Sequence, residues 1–292
     1  MLVPTNEQRR ATAKRKLERR LERQAKQDQR RRILTIAGGA LAALALLGAV
    51  AFAVFSDKHK SNTAATTPSP SPEAAPPPTG PALPELKPSD KRGANCQYPP
   101  SLDPAAKPVK PPWSRAVPTN PATVSVSMVT SQGHIGLLLA NDKAPCTVNS
   151  FVSLATQNFF DGTKCHRLTT GPELSVLQCG DPKGDGTGGP GYQFANEFPT
   201  DQFPPNDPKL QEPVIYPRGT LAMAHSAQPN SNGSQFFMVY RDSQLPPNYT
   251  VFGKIQADGL ATLDKVAKGG VAGGGEDGPP ATEITIKSVK LD

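Results

Sequence analysis

The sequence predicts a mainly β domain at the C-terminal end of the chain, an antiparallel β-barrel with a helix covering each end. Three observations lead to this prediction. Residues 122–292 contain many short segments with apolar and polar residues in alternation. Long glycine- and proline-rich stretches separate these segments, and only two segments, far apart, have helical periodicity. The regular strand–helix alternation of a parallel sheet is missing.

The individual elements follow from local patterns. Val124–Met128 alternates as a half-buried strand, Gln132-Gly133 forms a turn, and Ile135–Ala140 is the partner strand. Thr147–Ala155 and Leu260–Ala267 carry apolar residues at helical spacing. The remaining strands are predicted over residues 165–168, 176–179, 220–224, 235–240, 251–255 and 284–289.

The first 32 residues form a basic tail. They carry a net charge of +8, against +7 for the whole chain, so the rest is close to neutral. Such a tail sets membrane topology and attracts anionic lipid headgroups, its expected partner. Nucleic acid is not expected, because no aromatic residues are interleaved with the basic ones.

Residues 33–55 are an uncharged apolar run of 23 residues, longer than the ~20 needed to cross a bilayer. Arg30–Arg32 precede the run, which predicts a cytoplasmic N-terminus and a single transmembrane helix. The alternative is a cleaved signal peptide, with Ala51 and Ala53 at the cleavage site. Both interpretations place the folded domain outside the cytoplasm, at the cell membrane or secreted.

Two proline-rich segments follow. Of the 33 prolines, 17 lie between residues 61 and 121. Residues 56–95 read as a disordered linker, since their Pro, Ala, Ser and Thr residues offer little apolar surface to bury. Residues 96–121 contain Cys96, Tyr98 and Trp113, which predicts an irregular segment laid against the domain.

The four cysteines, Cys96, Cys146, Cys165 and Cys179, predict two disulfides outside the cytoplasm. The spacing does not choose among the three connectivities. A C-x2-C pair for zinc is absent, and neither a metal nor a cofactor is expected.

Residue patterns alone leave the function open. The glycine-rich stretch 184–191 lacks the lysine of a phosphate loop and the carboxylates of a calcium loop, which indicates a structural or substrate-lining loop. Ser234 is not in a nucleophile elbow. His166 and His225 could serve acid–base chemistry or be structural.

Five motifs in this sequence are similar to those of a known family, and they occur in the same order along the chain. They are Cys165-His166-Arg167, Gln178-Cys179-Gly180-Asp181, Gly186-Thr187-Gly188-Gly189, the segment Pro229–Phe237 and Val251-Phe252-Gly253-Lys254. Residues 123–292 thereby resemble the cyclophilins, which are peptidyl-prolyl cis–trans isomerases. The family's fold, an eight-stranded antiparallel barrel with two capping helices, agrees with the pattern above.

The resemblance implies a chemistry without a nucleophile. Rotation about an X–Pro bond is slow because amide resonance must be broken. Arg167 matches the family's catalytic arginine, which would stabilise the twisted amide. Gln178 would orient Arg167, and Phe237 would form the floor of the proline pocket. The other implied substrate-binding residues are His166, Leu174, Val176, Gly186, Ala224, His225, Gln235, Leu245 and Tyr249.

Three departures from the family pattern affect the pocket. The stretch from His166 to Gln178 is about three residues longer than usual, and the pocket phenylalanine falls at Ser175. The family's cyclosporin-contacting tryptophan is replaced by Gln244 or Leu245. We therefore expect slower catalysis than in typical members of the family, and weak cyclosporin binding.

The sequence is compatible with three functions. The first is an isomerase that acts on proline-containing segments of secreted or envelope proteins and assists their folding. The second is a catalytically weak or inactive module that binds prolyl peptides. The third is a membrane adaptor that works through its basic tail.

Overall fold

The computed structural model describes residues 78–87, 89, 91–228 and 230–292. Among these residues, no helix combines the length and apolar character needed to cross a bilayer. The predicted basic tail and the predicted membrane segment, residues 33–55, lie outside the described part of the chain.

The domain is built on a curled antiparallel sheet of nine strands. Their bounds are β1 Thr123–Thr130, β2 His134–Ala140, β3 Arg167–Thr169, β4 Val176–Cys179, β6 Thr220–Met223, β7 Phe236–Val239, β9 Val251–Ile255, β10 Asp277–Gly278 and β11 Ile286–Leu291. The strands lie in the order β10-β3-β4-β7-β6-β9-β2-β1-β11. A second sheet pairs β5, Val214–Tyr216, with β8, Ser243–Leu245. Successive β1–β2 residues face opposite sides, with Val126, Met128, Ile135 and Leu137 inside.

The expected closed barrel of eight strands differs from this sheet. Strands β5, β8 and β10 have only three, three and two residues, too short for alternation to reveal them. The segment that precedes β3 approaches β11, where Gly162 donates its N–H to the Ile286 carbonyl at 2.8 Å. Lys164 and Thr285 form an isolated bridge rather than a continuous ladder. The sheet is therefore a curled half-barrel with a bridged seam.

Two α-helices pack on this sheet, as predicted. Helix α1, Pro145–Thr156, begins at a proline, whose fixed φ suits the first turn. Helix α2, Ala257–Lys268, buries Leu263 and Val266 and carries two lysines in its last turn. Phe151 of α1 contacts Phe160 and Phe252, with ring centroids 5.0 and 5.4 Å away. These aromatic contacts fill the core between α1 and the sheet.

Residues 78–87, in the C-terminal part of the predicted disordered linker, pack against the domain. Ile215 donates its N–H to the Pro81 carbonyl at 2.8 Å, and Ala82 pairs with Ile215 in parallel. Leu83 and Leu86 pack against the apolar cluster that contains Phe237. The linker prediction is therefore wrong for this stretch, because two leucines and a strand edge provide enough contacts to order it.

The disulfides pair Cys96 with Cys146 and Cys165 with Cys179. The first attaches the irregular segment of residues 96–121 to the start of α1. Tyr98 in this segment is buried, whereas Trp113 is 75% exposed. The expectation that the segment lies against the domain thus holds for Tyr98 but not for the tryptophan side chain.

Candidate active site

Three residues that the sequence singles out lie side by side on neighbouring strands. In the β3–β4 ladder Arg167 is paired with Gln178, and in the β4–β7 ladder Gln178 is paired with Phe237. Because directly paired residues project on the same face of a sheet, the three side chains form a row. The sheet thus brings residues 70 positions apart in the sequence into one site.

A chain of hydrogen bonds fixes the polar part of this row. Arg167 donates from Nη1 to Gln178 Oε1 at 3.3 Å, and Gln178 donates from Nε2 to Gln235 Oε1 at 2.9 Å. Gln235 in turn donates to the carbonyls of Gly186 and Gly188 at 2.9 and 3.0 Å. The guanidinium is therefore linked through two glutamines to the glycine-rich loop.

Asp277 holds the other side of the guanidinium. Arg167 donates from Nε to Asp277 Oδ1 at 2.7 Å and from Nη2 to Oδ2 at 2.8 Å. The hydrogen bond to Asp277 raises the pKa of Arg167, and the same contact lowers the pKa of Asp277. The Arg167 side chain is 40% exposed, so the cation remains accessible to a ligand. Sequence patterns gave no indication of Asp277, which lies 110 residues away from Arg167.

Phe237 lies in an apolar cluster of buried side chains. Its ring is 5.7 Å from that of Tyr249, in a T-shaped arrangement, and 6.5 Å from Tyr216. The hydroxyl of Tyr216 donates to the carbonyls of Pro246 and Tyr249, which fixes the loop carrying Tyr249. The other predicted pocket residues in or against this cluster are Val176, Leu174, Ala224 and Leu245.

The longer stretch between His166 and Gln178 folds away from the pocket at Ser175. The Ser175 side chain is fully buried and donates from Oγ to the Gly171 carbonyl at 2.9 Å. Arg241 donates to the same Oγ and to the carbonyls of Thr170 and Gly171. Ser175 therefore serves the loop, and Leu174 packs against the Phe237 cluster instead.

The two predicted histidines have different surroundings. The ring nitrogens of His166 are buried without a hydrogen-bond partner among the described residues. Burial lowers the pKa of His166, which favours the neutral ring at pH 7. His225 stacks on Tyr249 at 4.4 Å, and its Nδ1 and Nε2 lie 2.7 and 2.9 Å from the carbonyls of Ser226 and Asn248. His225 thus helps to support the pocket wall.

Asp181 organises the glycine-rich loop. Its buried carboxylate accepts hydrogen bonds from the backbone N–H groups of Lys183, Asp185 and Gly186, at 2.7, 3.1 and 2.7 Å. Gly186 has a φ of +86°, a conformation that favours glycine. Within the described part of the chain, no three His, Cys, Asp or Glu side chains form a potential metal site. The loop is therefore a scaffold next to the row of Arg167 and Gln178.

The fold and this site define the class of protein. The family model for cyclophilin-type peptidyl-prolyl cis–trans isomerases matches residues 125–291, more than half of the chain. The chain belongs to this family and is a peptidyl-prolyl isomerase.

Named relatives agree with this class. The chain is 67% identical over 296 residues to "Probable peptidyl-prolyl cis-trans isomerase B" of Mycobacterium leprae, a match that covers 99% of this chain and all of the relative. It is 72% identical over 293 residues to the protein of the same name from Mycobacterium tuberculosis, covering 99% of this chain and 95% of the relative. "Peptidyl-prolyl cis-trans isomerase A" of Mycobacterium tuberculosis is 36% identical over 187 residues, covering 58% of this chain and 93% of the relative.

Proposed function

We propose that this isomerase acts outside the cytoplasm on proline-containing segments of secreted or envelope proteins and assists their folding. Arg167 would stabilise the twisted prolyl amide. The observation that carries the mechanism is the row of Arg167, Gln178 and Phe237 on adjacent strands. It places a cation and an apolar ring on the same face of the sheet.

The chemistry follows from the electronic change during rotation. Twisting the X–Pro bond removes amide resonance and makes the prolyl nitrogen more basic. A fixed donor near that nitrogen lowers the barrier if it interacts more strongly with the twisted state than with the planar state. The guanidinium of Arg167 is held on one side by Asp277 and linked to Gln178 on the other. Phe237 and Leu174 would hold the proline ring by apolar contact.

The experiment is exchange NMR on a proline peptide, with catalytic amounts of the full-length chain in detergent. Only the peptide is observed, so the size of the enzyme does not matter. We expect Arg167→Ala to lower kcat/KM by about a hundredfold, as for the loss of one transition-state donor. Arg167→Lys retains the charge but not the planar donor geometry, and should restore only part of the rate. Full activity of the alanine variant would refute the role of Arg167.

A second candidate, a prolyl-peptide binder with weak catalysis, is favoured by one observation. Ser175 occupies the family's aromatic position and its side chain faces the loop, which leaves Leu174 in the cluster. An aliphatic side chain offers less contact to a proline ring than an aromatic one. Peptide binding without accelerated exchange in the same NMR experiment would select this candidate.

The location outside the cytoplasm is supported by the two disulfides, which persist in oxidising compartments. The uncharged run of residues 33–55 would anchor the chain, with the basic residues 1–32 in the cytoplasm and in contact with anionic lipids. Residues 122–292 would be the catalytic domain. Protease treatment of intact spheroplasts should digest this domain and spare a tag at the N-terminus. Protection of the domain would overturn this topology.

A further inference from the structure

A cavity of about 280 Å³ lies beside the row of Arg167, Gln178 and Phe237. It shares Gln178 and Gln235 with the hydrogen-bond chain described above, and it is bordered by the loop of residues 186–190. Pockets for drug-sized ligands have volumes of about 300–1,000 Å³, so this cavity is slightly smaller than such pockets and has room for a side chain of a bound peptide. A peptide whose proline contacts Phe237 would place a nearby residue there.

One wall of the cavity comes from a segment outside the family match. Ser101, Asp103 and Pro104 line the cavity, whereas the family model begins at residue 125. Ser101 donates its N–H to the Gly191 carbonyl at 3.0 Å, and Ala106 donates to the Gly189 carbonyl at 2.8 Å. The wall is therefore attached to the glycine-rich loop through the backbone.

The segment that forms this wall lies so close to the glycine-rich loop that position 191 must be glycine. Gly191 has a φ of +78°, and a Cβ built there would lie 2.8 Å from the Ala105 nitrogen. The Cys96–Cys146 disulfide and the buried ring of Tyr98, which lies 5.7 Å from the ring of Tyr192, fix the segment further upstream. The wall is thus an ordered part of the domain.

Asp103 gives this wall its chemical character. Its carboxylate is the sole Asp, Glu, Lys or Arg side-chain charge among the residues that line the cavity. The Ser101 hydroxyl donates to the backbone carbonyl of Asp103 at 2.6 Å and fixes the turn. An exposed carboxylate at the edge of this cavity matches the cationic head of a lysine or arginine, whose apolar stem can lie along the cavity wall.

We propose that Asp103 selects substrates with a lysine or arginine within a few residues of the proline. This proposal rests on the proposed function, in which the proline of the substrate binds at the row of Arg167, Gln178 and Phe237. Asp103 is exposed, so the preference should be modest: about two- to fivefold, the range of an exposed ion pair. Salt should reduce it.

The test uses proline peptides in which lysine, alanine or glutamate occupies each of the three positions on either side of the proline. Exchange NMR with the full-length chain in detergent gives kcat/KM for each peptide at low and high salt. At one position the lysine peptide should exceed the glutamate peptide by about two- to fivefold. Asp103→Asn should remove this preference, and Asp103→Lys should reverse it. Glu212→Gln, which removes an exposed carboxylate that does not line the cavity, should retain it.

Equal rates for lysine and glutamate peptides in the wild type, or an unchanged preference in Asp103→Asn, would overturn the proposal. If no peptide is accelerated, the proposed catalysis fails, and calorimetric binding of the same peptides decides about Asp103. Tighter binding of a lysine peptide that is lost in Asp103→Asn supports the selection. Equal affinities for lysine and glutamate peptides refute it.

Discussion

Arg167 and Asp277 form a bidentate ion pair, with N–O distances of 2.7 and 2.8 Å, across the β3–β10 edge of the sheet. The pair uses Nε and Nη2 of the guanidinium and leaves Nη1 directed to Gln178. A planar group held at two atoms has little rotational freedom. Asp277 therefore fixes the orientation of the Arg167 guanidinium.

Asp277→Asn should lower kcat/KM about two- to fivefold, because the amide offers one acceptor where the carboxylate offers two. Exchange NMR on a proline peptide measures this. Arg218 and Asp264 form a similar bidentate pair, at 2.7 and 2.8 Å, that involves none of the predicted site residues. Asp264→Asn is therefore the matched control and should leave the activity unchanged. Higher activity in Asp277→Asn would mean that Asp277 withholds the cation from the substrate.

Cyclosporin should bind weakly. Gln244 and Leu245 occupy the region of the family's tryptophan, and Gln244 donates to the Thr79 carbonyl at 2.5 Å. The segment around Thr79 therefore contacts this residue. Calorimetry should detect no nanomolar binding by the wild type, and Gln244→Trp should increase the affinity by restoring an aromatic contact. Nanomolar affinity of the wild type would contradict this interpretation of the pocket.

Removal of either disulfide should lower the free energy of unfolding. The loops they close differ in length, with sequence separations of 14 for Cys165–Cys179 and 50 for Cys96–Cys146. Paired alanine substitutions should cost roughly 2–5 kcal/mol each, and about 1 kcal/mol more for the longer loop. Chemical unfolding under non-reducing conditions measures both. A larger loss for the shorter loop would show that contacts in the folded state outweigh chain entropy.

Glu197 should make stability depend on pH. Burial raises its pKa to about 7, although its carboxylate accepts hydrogen bonds from the N–H groups of Cys146 and Thr147 at the start of α1. Between about pH 4.5 and 7 the folded state therefore binds a proton that the unfolded state has released. Stability should fall across this range, by on the order of 3 kcal/mol, and then level off. Unfolding measured from pH 5 to 8 should show this slope, and Glu197→Gln should flatten it. The same slope in the variant would assign the effect to another group.

Much of the fold is local in origin, and the sequence predicts it accordingly. Alternation along Val124–Met128 and helical spacing along Thr147–Ala155 depend on neighbouring residues, and both elements are present. The short strands β5, β8 and β10 are not predicted, because two or three residues are too few to show an alternation of apolar and polar residues. The motifs around Arg167, Gln178 and Phe237 also identify the family without knowledge of the fold.

Local patterns in the sequence were thus sufficient to predict the main strands, both helices, the family and the residues that form the row at the site. Which groups contact those residues depends on the tertiary structure. Three contacts depend on segments that are brought together by the fold. They are the pairing of Arg167 with Asp277, the burial of Ser175 in its loop and the placement of Asp103 at the cavity. The periodicity of apolar residues indicates which side of a helix or strand is buried, but it does not indicate which distant segment covers that side. Only the folded chain specifies those long-range contacts.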